Sequence, residues 1–118
     1  MTKQEVESIY SEIIEKMHQG KMMEVFESYY HQNVTMQDRG MEACEGKDAN
    51  REREETFLSK VTEFRGMQCL EAMYHEDLAI SLWYNDFSHQ DYGDVQGRQL
   101  SITKFQDGKI ISEEFMYV

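Results

Sequence analysis

With 118 residues, 40% apolar and 30% charged, the chain is sized for one hydrophobic core and too short for two. Its 23 acidic and 12 basic residues leave a formal charge of −11, a field that repels phosphate backbones and anionic membranes and argues against nucleic acid and membrane as partners. No window reaches the length of a membrane span, and Met1-Thr2-Lys3-Gln4-Glu5 lacks the basic-then-apolar pattern of an export signal. The expectation is a single cytoplasmic domain over residues 1–118.

Thr2-Lys3-Gln4-Glu5 fits a capping box, and Val6, Ile9, Tyr10, Ile13, Ile14 and Met17 follow at spacings of three and four, one apolar stripe on a helix that Gly20 stops. A shorter helix runs from Met22 to about Tyr30 through Met22, Val25, Phe26 and Tyr29. Asn33–Asp38 reads as a strand, and Gly40–Lys47 as an acidic loop. Asp48 is placed to cap a third helix, Ala49 to about Glu63. Arg51–Glu55 would be its solvated face, and Phe57, Leu58, Val61 and Phe64 its buried stripe.

Four strands are predicted after it: Met67–His75, Leu78–Asp91, Val95–Gln106 and Lys109–Val118. Asp107-Gly108 between two β-prone runs is the clearest hairpin signal in the chain, and Gly93 and Gly97 suggest a turn and a bulge. Met67–His75 alternates, with Gln68, Leu70, Ala72 and Tyr74 on one face. Cys44 and Cys69 lack metal-type spacing and read as reduced thiols. The four histidines form no spaced pair, so neither a metal nor a cofactor is expected.

Helix, helix, strand, helix and four long strands is an order that resembles the nuclear transport factor 2-like superfamily, especially its SnoaL-like and ketosteroid-isomerase-like branches. Gly20, Tyr30-His31-Gln32-Asn33-Val34-Thr35, Gly46-Lys47 and Phe105-Gln106-Asp107-Gly108-Lys109-Ile110 carry the likeness. It implies an α+β, cystatin-like cone: a curved, mostly antiparallel sheet around three N-terminal helices, with an apolar pocket and commonly a homodimer through the outer sheet face. Leu100 and Ile102, opposite in sense to Ser101 and Thr103, would supply an apolar stripe for that contact.

The resemblance also nominates a candidate base. Thr35-Met36-Gln37-Asp38 looks like the setting of the ketosteroid isomerase general base, and a carboxylate at the mouth of an apolar pocket has the desolvation such a base needs. The oxyanion partners are missing, because Ile13 and Thr103 stand where the tyrosine and the protonated aspartate would be. The acid–base aspartate of a cyclase branch falls on Phe115, beside Glu113 and Glu114. These absences argue against steroid isomerisation.

If Thr103 points inward, alternation brings Gln99, Ser101 and Phe105 with it. Trp83, Asn85 and Phe87 would form the adjacent wall, with Ile80, Leu82 and Tyr84 as the alternative inward set. The reading is a small-molecule site of undefined reaction. An acid–base enzyme using Asp38 and a non-catalytic dimerisation or protein-interaction module are the alternatives.

Overall fold

The first helix is capped as its sequence predicts. The Thr2 hydroxyl accepts from the Glu5 amide at 3.2 Å and Glu5 accepts from the Thr2 amide at 3.0 Å, which opens α1, Lys3–His18. Gly20 follows with φ +78°, a conformation that costs a glycine nothing, and α2 spans Met22–Tyr29. The computed structural model describes all residues, 1–118.

From there the chain corrects several expectations. β1 is longer than predicted, Tyr30–Asp38, and the predicted loop contains a short strand, β2, Cys44–Glu45, paired with Thr35 and Met36. α3 covers Lys47–Ser59, with Gly46 rather than Asp48 at its N-cap; Asp48 instead accepts from Arg51 at 2.8 Å. Val61 and Phe64, expected on the buried stripe of that helix, belong to β3, Val61–His75. The run Val-Thr-Glu-Phe is β-branched and aromatic, and pairing with Phe87, Ser88 and His89 satisfies its backbone in a ladder.

β4, Leu78–His89, β5, Gly93–Gln106, and β6, Lys109–Tyr117, complete the sheet. Asp107 (φ 56°) and Gly108 (φ 75°) form the predicted two-residue turn. No bulge occurs at Gly97, since the β4–β5 ladder is continuous and places Gly97 directly opposite Asn85. The irregularities fall elsewhere: in β3 between Val61 and Glu63, Phe64 and Gly66, and Cys69 and Glu71, in β1 between Tyr30 and Thr35, and in the last hairpin between Lys104 and Phe105. Around Leu70 the extra residue breaks the expected alternation. Met67 and Cys69 oppose Asn85 and Trp83, whereas Ala72 and Tyr74 oppose Ser81 and Ala79, all on one face.

The six strands form one mixed, mostly antiparallel sheet in the order β2-β1-β6-β5-β4-β3, in which only β1 and β6 run parallel. α1 lies against β3 and β4, and α3 against β1 and β2, so helices cover one face. The core joins Val6, Tyr10 and Ile13 of α1 and Val25 and Phe26 of α2 to Val34, Met36, Ala79, Phe105 and Ile110 of the sheet. This is the cone expected from the sequence, an α+β fold.

Candidate functional site

The inner face of β4 is settled by burial: Ala79, Ser81 and Trp83 are buried, while Tyr84 on the opposite face is exposed. The alternative inward set of Ile80, Leu82 and Tyr84 is therefore the outer one. The ladder sets Trp83 opposite Gln99 and Ser81 opposite Ser101, and across the next pair Ser101 faces Phe115 and Thr103 faces Glu113. Small and polar side chains thus line the centre of a sheet that should be apolar if it did nothing but pack.

These groups are linked in two networks. Asn85 Nδ2 donates to Gln99 Oε1 at 3.1 Å and Gln99 Nε2 to Ser101 Oγ at 3.4 Å. Trp83 Nε1 donates to Ser81 Oγ at 2.8 Å, and that oxygen also bonds the buried Tyr10 hydroxyl at 2.7 Å. Burial, then the nearby Glu113 carboxyl, holds the Tyr10 phenol above its ordinary range. Asn85 Oδ1 is buried and has no hydrogen-bond partner in the protein. A Cβ built on Gly97, across from it, meets no atom within 4 Å.

Glu113 entered the sequence reading only as a neighbour of Phe115 that could stand in for the missing acid–base aspartate, not as a site residue. It is 5% exposed, accepts from Thr103 Oγ1 at 2.8 Å and accepts from the Tyr30 hydroxyl. Burial pushes its carboxyl up to about 7, partly offset by those two hydroxyls. Tyr30 in turn is held well above the ordinary phenol range, first by burial and then by Glu113. One signal did exist, because Glu113 lies two residues before Phe115 and alternation puts both on one face. The irregularity beside Lys104 was the hidden part: a plain two-residue turn would have paired Thr103 with Ser112.

Asp38 ends β1 and is bound by Arg53 of α3 at 3.1 Å; Arg53 also pairs with Glu54 at 3.3 Å. All three are half-buried, and the Arg53 Nε is wholly buried without a partner. Burial raises the Glu54 carboxyl, against the pull of Arg53. The charge run expected to be a solvated face therefore turns part of itself, Arg53 and Glu54, toward the end of β1.

Two predicted wall residues go elsewhere. Phe105 belongs to the core under α1 and α2. Phe87 meets Phe57 edge-on at 5.7 Å, in an aromatic group where His89 stacks on Phe57 at 4.6 Å and on Tyr92 at 4.7 Å. His89 Nδ1 accepts from the Asp91 amide, so Nε2 carries the proton and donates to the Phe57 carbonyl at 3.1 Å. That group fastens α3 to the end of β4. Cys44 and Cys69 are free thiols. Grooves of about 290 and 430 Å³ lie on the surface at Glu12–Tyr29 and at Gln37–Met116, away from the inner-face networks.

The SnoaL-like domain model matches residues 1–117, and the chain belongs to that family. Among solved structures it is similar to a Mesorhizobium loti protein described as a SnoaL-like polyketide cyclase, with TM-score 0.83, 20% identity and 93% and 97% of the two chains covered. A nuclear transport factor 2-like protein of unknown function from Burkholderia pseudomallei gives TM-score 0.79 at 12% identity over 97% and 91% of the chains. One from Cytophaga hutchinsonii gives 0.73 at 10% over the whole of both. At these identities the likeness shows the fold alone. No curated protein matches. No helix is long and apolar enough to cross a membrane.

Proposed function

We propose that the chain is a small-molecule binding domain whose site lies between Trp83, Asn85, Gln99 and Ser101 on the inner sheet face. The observation that carries this reading is Asn85 Oδ1, buried without a partner beside the open space over Gly97. Interiors satisfy their buried acceptors, and an acceptor beside open space is complementary to a ligand donor. The Trp83 ring suits an apolar body, and the Asn85-Gln99-Ser101 row suits an oxygen function carried on it. Asp38 and Arg53, half-exposed together, are proposed as a polar anchor at the edge of the site rather than as a catalytic pair.

The test is a thermal-shift screen of apolar ketones, phenols and lactones against wild type, Gly97→Leu and Asp38→Asn. A ligand at about a hundred times its dissociation constant stabilises by about 2.7 kcal/mol, several degrees in a domain this size. The expected result is a hit that Gly97→Leu abolishes while melting like wild type without ligand. No hit in any chemotype, or a hit that survives Gly97→Leu, would sink the reading. Loss of the hit in Asp38→Asn would place the anchor.

The outer sheet face supports a second element of the proposal, a homodimer. Leu82 pairs with Leu100, Ile80 with Ile102, and Leu100 with Met116, a contiguous apolar patch that no helix covers, with Leu70 and Met73 exposed at its border.

A further inference from the structure

Glu113 ties three elements together without a countercharge. Its carboxyl is gripped by Tyr30, the residue at which α2 gives way to β1, and by Thr103 of β5. The titratable and charged groups that face it are Tyr30 from β1, Tyr10 from α1, and Arg53 and Glu54 from α3. The one cation among them, Arg53, is already bound to Asp38 and Glu54. A protonated Glu113 can donate to one hydroxyl and accept from the other; an ionised one has only those two hydroxyls to offset a buried charge.

The junction beside it has room to give. β1 pairs with β6 at Tyr30–Ile110 and again from Thr35–Ser112, and the register slips between the two. The stretch from His31 to Asn33 is therefore held by less ladder than the strand on either side, whereas Val34 is buried and its carbonyl is held by the Gly46 amide.

We propose that the Glu113-Tyr30-Thr103 contact is a pH-sensitive latch on the α2–β1 junction, shut while the Glu113 carboxyl is protonated and loosened when it ionises. Ionisation draws the carboxylate toward water, and the weakly paired stretch is where water reaches it at least cost. The device is independent of what the cone binds.

Amide exchange of residues 31–33 at pH 6 and pH 8, corrected for intrinsic rates, tests it. With the carboxyl at about 7 in the closed form and at its ordinary value when open, the opening equilibrium should rise about tenfold between those pH values. Glu113→Gln, which cannot ionise, should show no rise. His31 lies in the same stretch and is common to wild type and Glu113→Gln, so the comparison between the two isolates Glu113. A wild-type response below about twofold, or an equal response in Glu113→Gln, would overturn the latch. Should Glu113→Gln fail to fold, Tyr30→Phe serves: it unhooks the carboxyl from the junction, and the pH response there should be lost. A response equal to that of wild type would overturn the proposal as well.

Discussion

Glu113 is a buried carboxyl without a countercharge of its own, and its energetics carry a definite sign. Its folded value is raised from 4.5 to about 7, so the folded state holds a proton that the unfolded chain has released. The associated stability is fully present below about pH 4.5 and is lost as pH rises through about 7, a difference of about 3 kcal/mol. Denaturant melts at pH 5 and pH 8 should show this loss in wild type and a much flatter profile in Glu113→Gln. Exposed carboxylates such as Asp91, lowered by Lys60, act only at more acid pH and are common to both proteins. Alternation grouped Gln99, Ser101 and Thr103 on one face, and the resemblance, through Thr103, supplied the condition that this face turns inward. Glu113 was not ranked, because no local pattern reveals that the hairpin slips by one residue at Lys104.

At the scale of elements, helix caps and turns were read correctly where a few adjacent side chains decide them, as at Thr2-Glu5 and Asp107-Gly108. Apart from the α3 cap, where Gly46 stands and not Asp48, and the bulge expected at Gly97, the errors lie where distant partners decide. Val61–Phe64 is a strand because β4 is there to pair with it, and β2 exists because Met36 and Thr35 offer an edge. Asn50 of α3 holds that edge together: its side-chain nitrogen shares its two protons among the carbonyls of Gly46 at 2.8 Å, Cys44 at 2.9 Å and Val34 at 3.3 Å. It is fully buried, and the Gly46 and Val34 carbonyls keep backbone donors, so Asn50→Ala should chiefly orphan the Cys44 carbonyl and cost about 1–3 kcal/mol in chemical denaturation. A change under about 0.5 kcal/mol would show that the lost bonds are replaceable by water.

For the whole molecule the outer sheet face and the net charge of −11 pull in opposite directions. Apolar burial between Leu82, Leu100, Ile102 and Met116 favours two copies face to face, while like charge opposes them. Sedimentation at micromolar concentration should find a dimer that tightens as salt rises from about 0.05 to 0.5 M, where screening shortens toward a few ångströms. Leu100→Glu, on that face and remote from the inner networks, should give a monomer with an unchanged melting profile at low concentration. A wild-type monomer throughout would remove the dimer from the proposal.

The parallel seam between β1 and β6 has a temporal side. Strands β3 to β6 join neighbour to neighbour through short turns, but β1 waits for a partner about eighty positions further along the chain, Tyr30 for Ile110 and Asp38 for Phe115. On the ribosome, α1 and α2 emerge before the strands they pack against, and the part of the core that Phe105 and Ile110 supply stays open until the last hairpin is synthesised. Closing the cone is then the final, longest-range step of folding. The last strand carries both that closure and the inward carboxyl of Glu113, so an early stop in translation would forfeit the two together.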